Sequence, residues 1–169
     1  MVATAATHYS TQSQLVENAR NGGRGDTLIE HNDGGKLRVF HMHYTAPASG
    51  NPSAGSVISM GYLPQGLVIP GLTCLHATDF GSNGTIDVGL NEYKKNDGTV
   101  VAADADEFWN DLDISGQAVN TTLAATGVAV TLQQGFQVLG FAEVIVTLAT
   151  AGMQAAATLD IFFVMATGN

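Results

Sequence analysis

Apolar and polar side chains alternate along much of the chain after residue 35, which predicts β-strands. The clearest stretch runs from Leu37 to Thr45, where Leu37, Val39, His41 and His43 fall on one face. This period of two is typical of a strand with one buried face. Similar patterns predict further strands at Val57–Leu63, Leu67–Ile69, Leu72–Thr78, Gly84–Leu90, Val128–Leu132, Val138–Leu148 and Thr158–Ala166.

Turn-forming residues separate these segments. Pro64-Gln65-Gly66 and Pro70-Gly71 are turn signals, and Asp97-Gly98 predicts the tight turn of a hairpin. Gly140 is expected to bend or bulge the long strand that contains it. No segments of crossover-helix length separate the strands, so parallel pairing is disfavoured. We therefore predict an all-β fold, an antiparallel β-sandwich of jelly-roll-like type.

One short helix is expected within this fold. Asp104-Ala105-Asp106-Glu107 places negative charge where the dipole of a helix N-terminus favours it. Phe108, Trp109 and Leu112 follow at helical spacing and could hold that turn against a sheet. The pattern predicts a helical turn over Ala105–Leu112, with Trp109 as its anchor.

Residues 1–35 differ from the rest and divide the chain into an N-terminal arm and a sandwich domain over residues 36–169. The arm is rich in Thr, Ser, Gln, Asn and Gly, so it cannot offset its ordering entropy alone. It is either an extended arm ordered by a partner or a disordered tail. In the first case its interface residues are its apolar pairs and its arginines: Leu15, Val16, Arg20, Arg24, Leu28 and Ile29.

Charge is sparse and unevenly placed. Charged residues make up 12% of the chain against 45% hydrophobic residues, which suits a protein that buries much of its surface in an assembly. Residues 1–95 carry all six basic residues and seven acids, whereas residues 96–169 carry eight acids and no Lys or Arg. This makes residues 96–169 a poor candidate for nucleic-acid binding, and we expect no nucleic-acid partner. No apolar run is suited to spanning a bilayer, so no membrane partner is expected. The single cysteine, Cys74, is expected to be a buried thiol in a protein made in a reducing cytoplasm.

Few residues are arranged for chemistry. His41 and His43 share a strand face and could hold a metal ion. No third ligand has a supporting spacing, so we prefer to interpret them as two polar residues on a sheet face or at an interface. The acids between Asp104 and Asp113 lack the central glycine of a calcium-binding loop, which leaves only a nonstandard calcium site open. No catalytic motif is present, so we predict no enzyme activity and no cofactor.

Residues Gly84–Leu90 (GTIDVGL), Asp97–Ser115 (DGTVVAADADEFWNDLDIS) and the closing strand Leu159–Ala166 resemble a group of tailed-bacteriophage proteins that decorate or cement the capsid. The resemblance covers about residues 55–166. It implies a β-sandwich, commonly a homotrimer, that binds the major capsid protein on the outside of the head and clamps neighbouring capsomers. Two alternatives remain: a receptor- or carbohydrate-binding virion spike, and a neck or tail component.

Overall fold

The computed structural model describes residues 36–49, 51–78, 84–115, 118–123 and 135–167, and these contain strands but no α-helix. The strands are β1 (Lys36–Thr45), β2 (Val57–Leu63), β3 (Gly66–Val68), β4 (Cys74–Ala77), β5 (Thr85–Leu90), β6 (Tyr93–Lys94), β7 (Val100–Val101), β8 (Asp104–Asp113), β9 (Val119–Thr122), β10 (Phe136–Val138), β11 (Ala142–Leu148) and β12 (Thr158–Thr167).

Two antiparallel sheets form the body of the protein. The six-stranded sheet has the order β10-β3-β12-β4-β9, with β1 paired to the other edge of β12. The four-stranded sheet has the order β2-β11-β5-β8, and β6 and β7 form a separate hairpin. Every pairing is antiparallel, so the predicted all-β antiparallel sandwich is confirmed. Among the described residues, no helix has the length and hydropathy needed to cross a membrane.

Strand β12 runs through the centre of the six-stranded sheet and supplies much of the core. Leu159, Ile161, Phe163 and Met165 alternate along it and are fully buried. The even-numbered positions between them point away from the core, as the period of two requires. The closing apolar strand predicted over Thr158–Ala166 is confirmed and extends one residue further, to Thr167.

An aromatic cluster joins the two sheets. The Phe163 ring meets the Phe108 ring edge-on, with centroids 4.9 Å apart, and lies 6.5 Å from the Trp109 ring. Phe136 meets the other side of Phe108 at 5.4 Å. Phe108, Trp109 and Phe163 are fully buried. Such large side chains dominate core energetics, and their tilted contacts add to the stabilisation from area burial.

The helix predicted over Ala105–Leu112 is wrong, because the segment is the edge strand β8. Its pairing with β5 shifts register on both sides of Trp109, so extra residues bulge out of β8. The bulges let the adjacent Phe108 and Trp109 both reach the core, which a regular strand would forbid. Asp111 takes a φ of 48° here, and its N–H donates to the Asp87 carboxylate at 2.7 Å. The spacing that suggested a helix is therefore the spacing of a bulged strand.

The region Val138–Leu148 is also not one long strand. It is divided into β10 and β11, and Gly140 pairs by a single bridge with Lys95 of the hairpin. A Cβ on Gly140 would overlap the carbonyl of Lys94, so only glycine allows this approach. The expected bend at Gly140 is thus a break between strands. Strand β9 was not predicted, and the strand predicted at Val128–Leu132 and the arm over residues 1–35 lie outside the described residues.

The acids of β8 repel one another at the sheet edge. The pKa of Glu107 is raised from 4.5 to about 7, first because the carboxyl is partly desolvated and then because Asp104 and Asp106 are close by. The pKa of Asp106 is raised mainly by a hydrogen bond with Asp104. By contrast, the pKa of Asp97 in the hairpin is lowered by hydrogen bonds from Thr99. Among the eight acids of residues 96–169, those of β8 therefore form the group whose carboxylates repel one another.

Replacing Gly89 with alanine should strongly destabilise the fold. A Cβ on Gly89 would overlap the backbone of Asp104 and Ala105, which cannot withdraw without unpairing β8. We expect a loss of at least about 2 kcal/mol, measured by urea unfolding. Gly71→Ala is the matched control, because a Cβ there meets nothing within 4 Å, and it should change stability by less than about 1 kcal/mol. Equal effects of the two substitutions would contradict the close packing of β5 and β8.

Replacing Glu107 with glutamine should change how stability depends on pH. Because the folded pKa of Glu107, about 7, exceeds its ordinary 4.5, the native state binds more protons between these values, and the contribution of Glu107 to stability falls as pH rises through them. The Glu107→Gln variant should melt above the wild type at about pH 8, and this difference should shrink towards pH 4.5. Asp97→Asn should instead melt below the wild type at both pH values, and its difference should shrink only below about pH 3.8, because the pKa of Asp97 is lowered from that value. A difference between Glu107→Gln and wild type that does not vary with pH would contradict the argument.

Candidate functional site

The outward face of the six-stranded sheet carries a cluster of apolar side chains that the core does not use. Ala166 of β12 lies between Leu37 of β1 and Leu67 of β3, and Val39 pairs with Val164 in the next outward row. Leu37 is 62% exposed and Leu67 is 40% exposed. We call Leu37, Val39, Leu67, Val164 and Ala166 the apolar patch. Val164 is only 8% exposed, so the accessible part of the patch is formed mainly by Leu37, Val39 and Leu67, and exposed apolar surface of this kind marks a contact site.

The same face becomes polar towards the other end of β1 and β12. His41 pairs with Phe162, and His43 pairs with Asp160 in the following outward row. Residues directly opposite each other in an antiparallel pair have their side chains on the same face, close enough to interact. On the far side of β12, Asp160 pairs with His76 of β4. The register therefore brings three charged or titratable residue positions into one row.

Asp160 binds both predicted histidines. The Nε2 atom of His41 lies 2.6 Å from Oδ1 of Asp160, and the Nδ1 atom of His43 lies 2.7 Å from the same oxygen. An ionised carboxylate can only accept, so both ring nitrogens donate to it. We call His41, His43 and Asp160 the His–Asp cluster. Sequence reasoning found the two histidines and missed Asp160, although an acid in an otherwise apolar closing strand was a signal that could have been used.

Neighbouring side chains hold both imidazole rings in place. The His41 ring stacks on Phe162, with centroids 4.3 Å apart and planes within 4° of parallel. The Nε2 atom of His43 makes a 2.8 Å hydrogen bond with the hydroxyl of Thr45. Each ring is therefore fixed by a second contact besides Asp160, which limits its rotation and sets the direction of the nitrogen facing the carboxylate.

A second exposed feature lies beside the four-stranded sheet. Tyr62 and Phe141 stack with centroids 4.9 Å apart and are 44% and 65% exposed. The carboxylate of Glu143, which pairs with Tyr62, accepts hydrogen bonds from the Ser59 hydroxyl and the Asn91 amide. We call Tyr62 and Phe141 the exposed aromatic pair. No sequence pattern marks this pair, because the two residues are 79 positions apart and meet only through the pairing of β2 and β11.

The other residues considered from the sequence add no further site within the described part of the chain. The arm residues Leu15, Val16, Arg20, Arg24, Leu28 and Ile29 lie outside the described residues. In the described part of the chain, the acids of β8 form no three-ligand group with metal-binding spacing. Cys74 is half-buried on the outward side of β4, so it is less enclosed than expected, and burial raises the pKa of its thiol.

Comparisons with known proteins bear on the fold. No protein-family model matches the sequence, and no curated protein matches it. Among solved structures, a chain of "Capsid of Ralstonia phage GP4" is similar, with a TM-score of 0.54 and 18% sequence identity. The alignment covers 86% of this chain and 94% of that chain. At this identity the likeness establishes a shared fold and nothing beyond it.

Proposed function

We propose that this protein is a non-enzymatic structural component of a bacteriophage virion, which decorates the outside of the head and cements neighbouring capsomers. The observation that carries the proposal is the fold shared with a phage capsid chain over 94% of that chain's length. The sequence independently resembles capsid decoration proteins, through the segments that form β5, the hairpin, β8 and β12. The location is thus the capsid exterior, with the major capsid protein as the partner.

The charge distribution supports an exterior position. The described residues include ten acids and four basic residues, and much of the negative charge lies on the edge strand β8. DNA inside a head would repel this surface at distances up to a Debye length of about 8 Å. A position facing solvent avoids that repulsion. Nucleic acid is accordingly not a partner in this proposal.

The apolar patch supports self-association, and the resemblance to decoration proteins implies that the assembly is a homotrimer. Most apolar side chains of β11 and β12 are buried inside the domain, so they are not available for a subunit contact. The outward positions of β12, Val164 and Ala166, instead join Leu37, Val39 and Leu67 in the patch. A second copy is the occupant we infer, because a chain with 12% charged residues has few other means of covering such a patch. The arm over residues 1–35 would then reach the major capsid protein.

The exposed aromatic pair favours one alternative, a carbohydrate- or receptor-binding virion spike. Exposed rings can stack on sugars, and Glu143 with Asn91 places a carboxylate and an amide beside Tyr62. Trp109, by contrast, is fully buried and offers no such platform. A neck or tail component is the other alternative. The position of the protein on the particle separates the three roles, because a spike or tail protein would not cover the faces of the head.

Imaging and salt washing of virions test the proposal together. In particles of the phage that encodes this chain, we expect density for the sandwich on the outer surface of the head. We expect most of the protein to remain bound between roughly 0.1 and 0.5 M salt, because six basic residues allow few ion pairs. Quantifying the retained protein by gel or mass spectrometry gives the result. Density confined to the tail, or release within this range, would contradict the proposal.

A charge placed in the apolar patch should break the trimer. Leu37→Asp puts a carboxylate at a 62% exposed position, so the fold should tolerate it while the subunit contact should not. Light scattering should show a fall from three times 17.5 kDa to 17.5 kDa. Val100→Asp is the matched control, since Val100 is 50% exposed on the separate hairpin, and it should leave the trimer intact. A wild-type monomer, or a Leu37→Asp variant that remains trimeric, would refute this part of the proposal.

A further inference from the structure

The His–Asp cluster places three potential metal-ligand atoms together on the surface of the sheet. One ring nitrogen from each of His41 and His43 and one carboxylate oxygen of Asp160 all lie within 4.8 Å of one another. No other group of three in the described part of the chain meets this spacing. Two imidazole nitrogens and one carboxylate oxygen are a donor set that suits borderline divalent ions such as Zn²⁺ and Co²⁺. We propose that His41, His43 and Asp160 form a binding site for such an ion.

The present contacts are close to the geometry that the ion needs. Tetrahedral zinc with bonds of about 2.0–2.1 Å holds its ligand atoms roughly 3.3 Å apart. The two nitrogen–oxygen distances to Asp160 are 2.6 and 2.7 Å, so each must open by less than about 1 Å. On binding, each neutral ring would change tautomer: the proton on the ligating nitrogen would move through solvent to the other ring nitrogen, and the ion would take its place beside Asp160 with no net loss of protons. The two ring nitrogens lie within 4.8 Å of each other and would have to approach to this spacing, so all three partly exposed side chains would adjust.

Access and charge both allow binding. The side chains of His41, His43 and Asp160 are 20%, 38% and 19% exposed, so an ion can enter from solvent while the ligands remain held. With both imidazoles neutral, the cluster carries one negative charge, which attracts a divalent cation. Three protein ligands leave a fourth position for water.

The surroundings resemble the outer shell of a metal site. When Nδ1 of His43 binds the ion, its Nε2–H can donate to the hydroxyl of Thr45, which already lies 2.8 Å away. Such a partner fixes the tautomer and direction of a metal-bound imidazole. The stacked Phe162 ring holds the plane of the His41 ring in a fixed orientation. A hydroxyl can donate or accept, so Thr45 serves both the metal-free and the metal-bound states.

Calorimetric titration of the purified full chain with Zn²⁺, after treatment with a chelator, tests the site. We expect one Zn²⁺ per chain at this site, a higher thermal midpoint in Zn²⁺, and reversal of that rise by chelator. Asp160→Asn keeps the size of the side chain and should weaken this binding at least about tenfold. His41→Gln should do the same and leaves the contact between His43 and Asp160 in place, so it serves if Asp160→Asn fails to fold.

His76→Gln is the matched control, because His76 pairs with Asp160 from the other side but is outside the three-ligand group. It should retain wild-type Zn²⁺ affinity. Absence of binding at about 1 mM Zn²⁺ would overturn the proposal, as would equal affinities of the wild type and the Asp160→Asn and His41→Gln variants. The titration needs no virions, so its result is independent of the proposed role in the capsid.

Discussion

The packing of Phe163 against Phe108 and Trp109 is the contact on which the architecture depends. It joins the central strand of one sheet to the edge strand of the other, and all three side chains are fully buried. Because β5 is the only strand that pairs with β8 among the described residues, these rings supply much of what holds β8 to the body of the domain. The bulges in β8 follow from the same requirement, since two adjacent residues must both face inward.

The fold class could be read from the sequence because period-two patterning survives wherever one strand face is buried. This patterning correctly predicted β1, β2, β5 and β12. The predicted Asp97-Gly98 turn forms the hairpin between β6 and β7, with Gly98 at a φ of 86°. The patterning failed at β8, where the bulged positions of Phe108, Trp109 and Leu112 imitate helical spacing. It also failed at β9, whose small polar residues carry no periodic signal and pair only because β4 lies beside them.

The candidate site could be predicted only in part. The pattern along β1 placed His41 and His43 on one face, and the structure has them there. Asp160 could not be assigned to them, because it lies 117 positions after His43. The sequence of β1 or of β12 alone does not determine the register in which the two strands pair. The same limitation applies to the apolar patch, whose members come from three strands. Local patterns give the face of each residue, whereas tertiary pairing decides its neighbours.

The acidic edge strand has a consequence for how copies of the protein can associate. An unpaired strand edge offers backbone donors and acceptors to any other extended chain, and flat apolar edges lead to open-ended sheet growth. Here the edge is bulged and carries Asp104, Asp106, Asp111 and Asp113, so two such edges repel each other and do not match in shape. Copies brought side by side would therefore be kept from fusing into a continuous sheet through this edge.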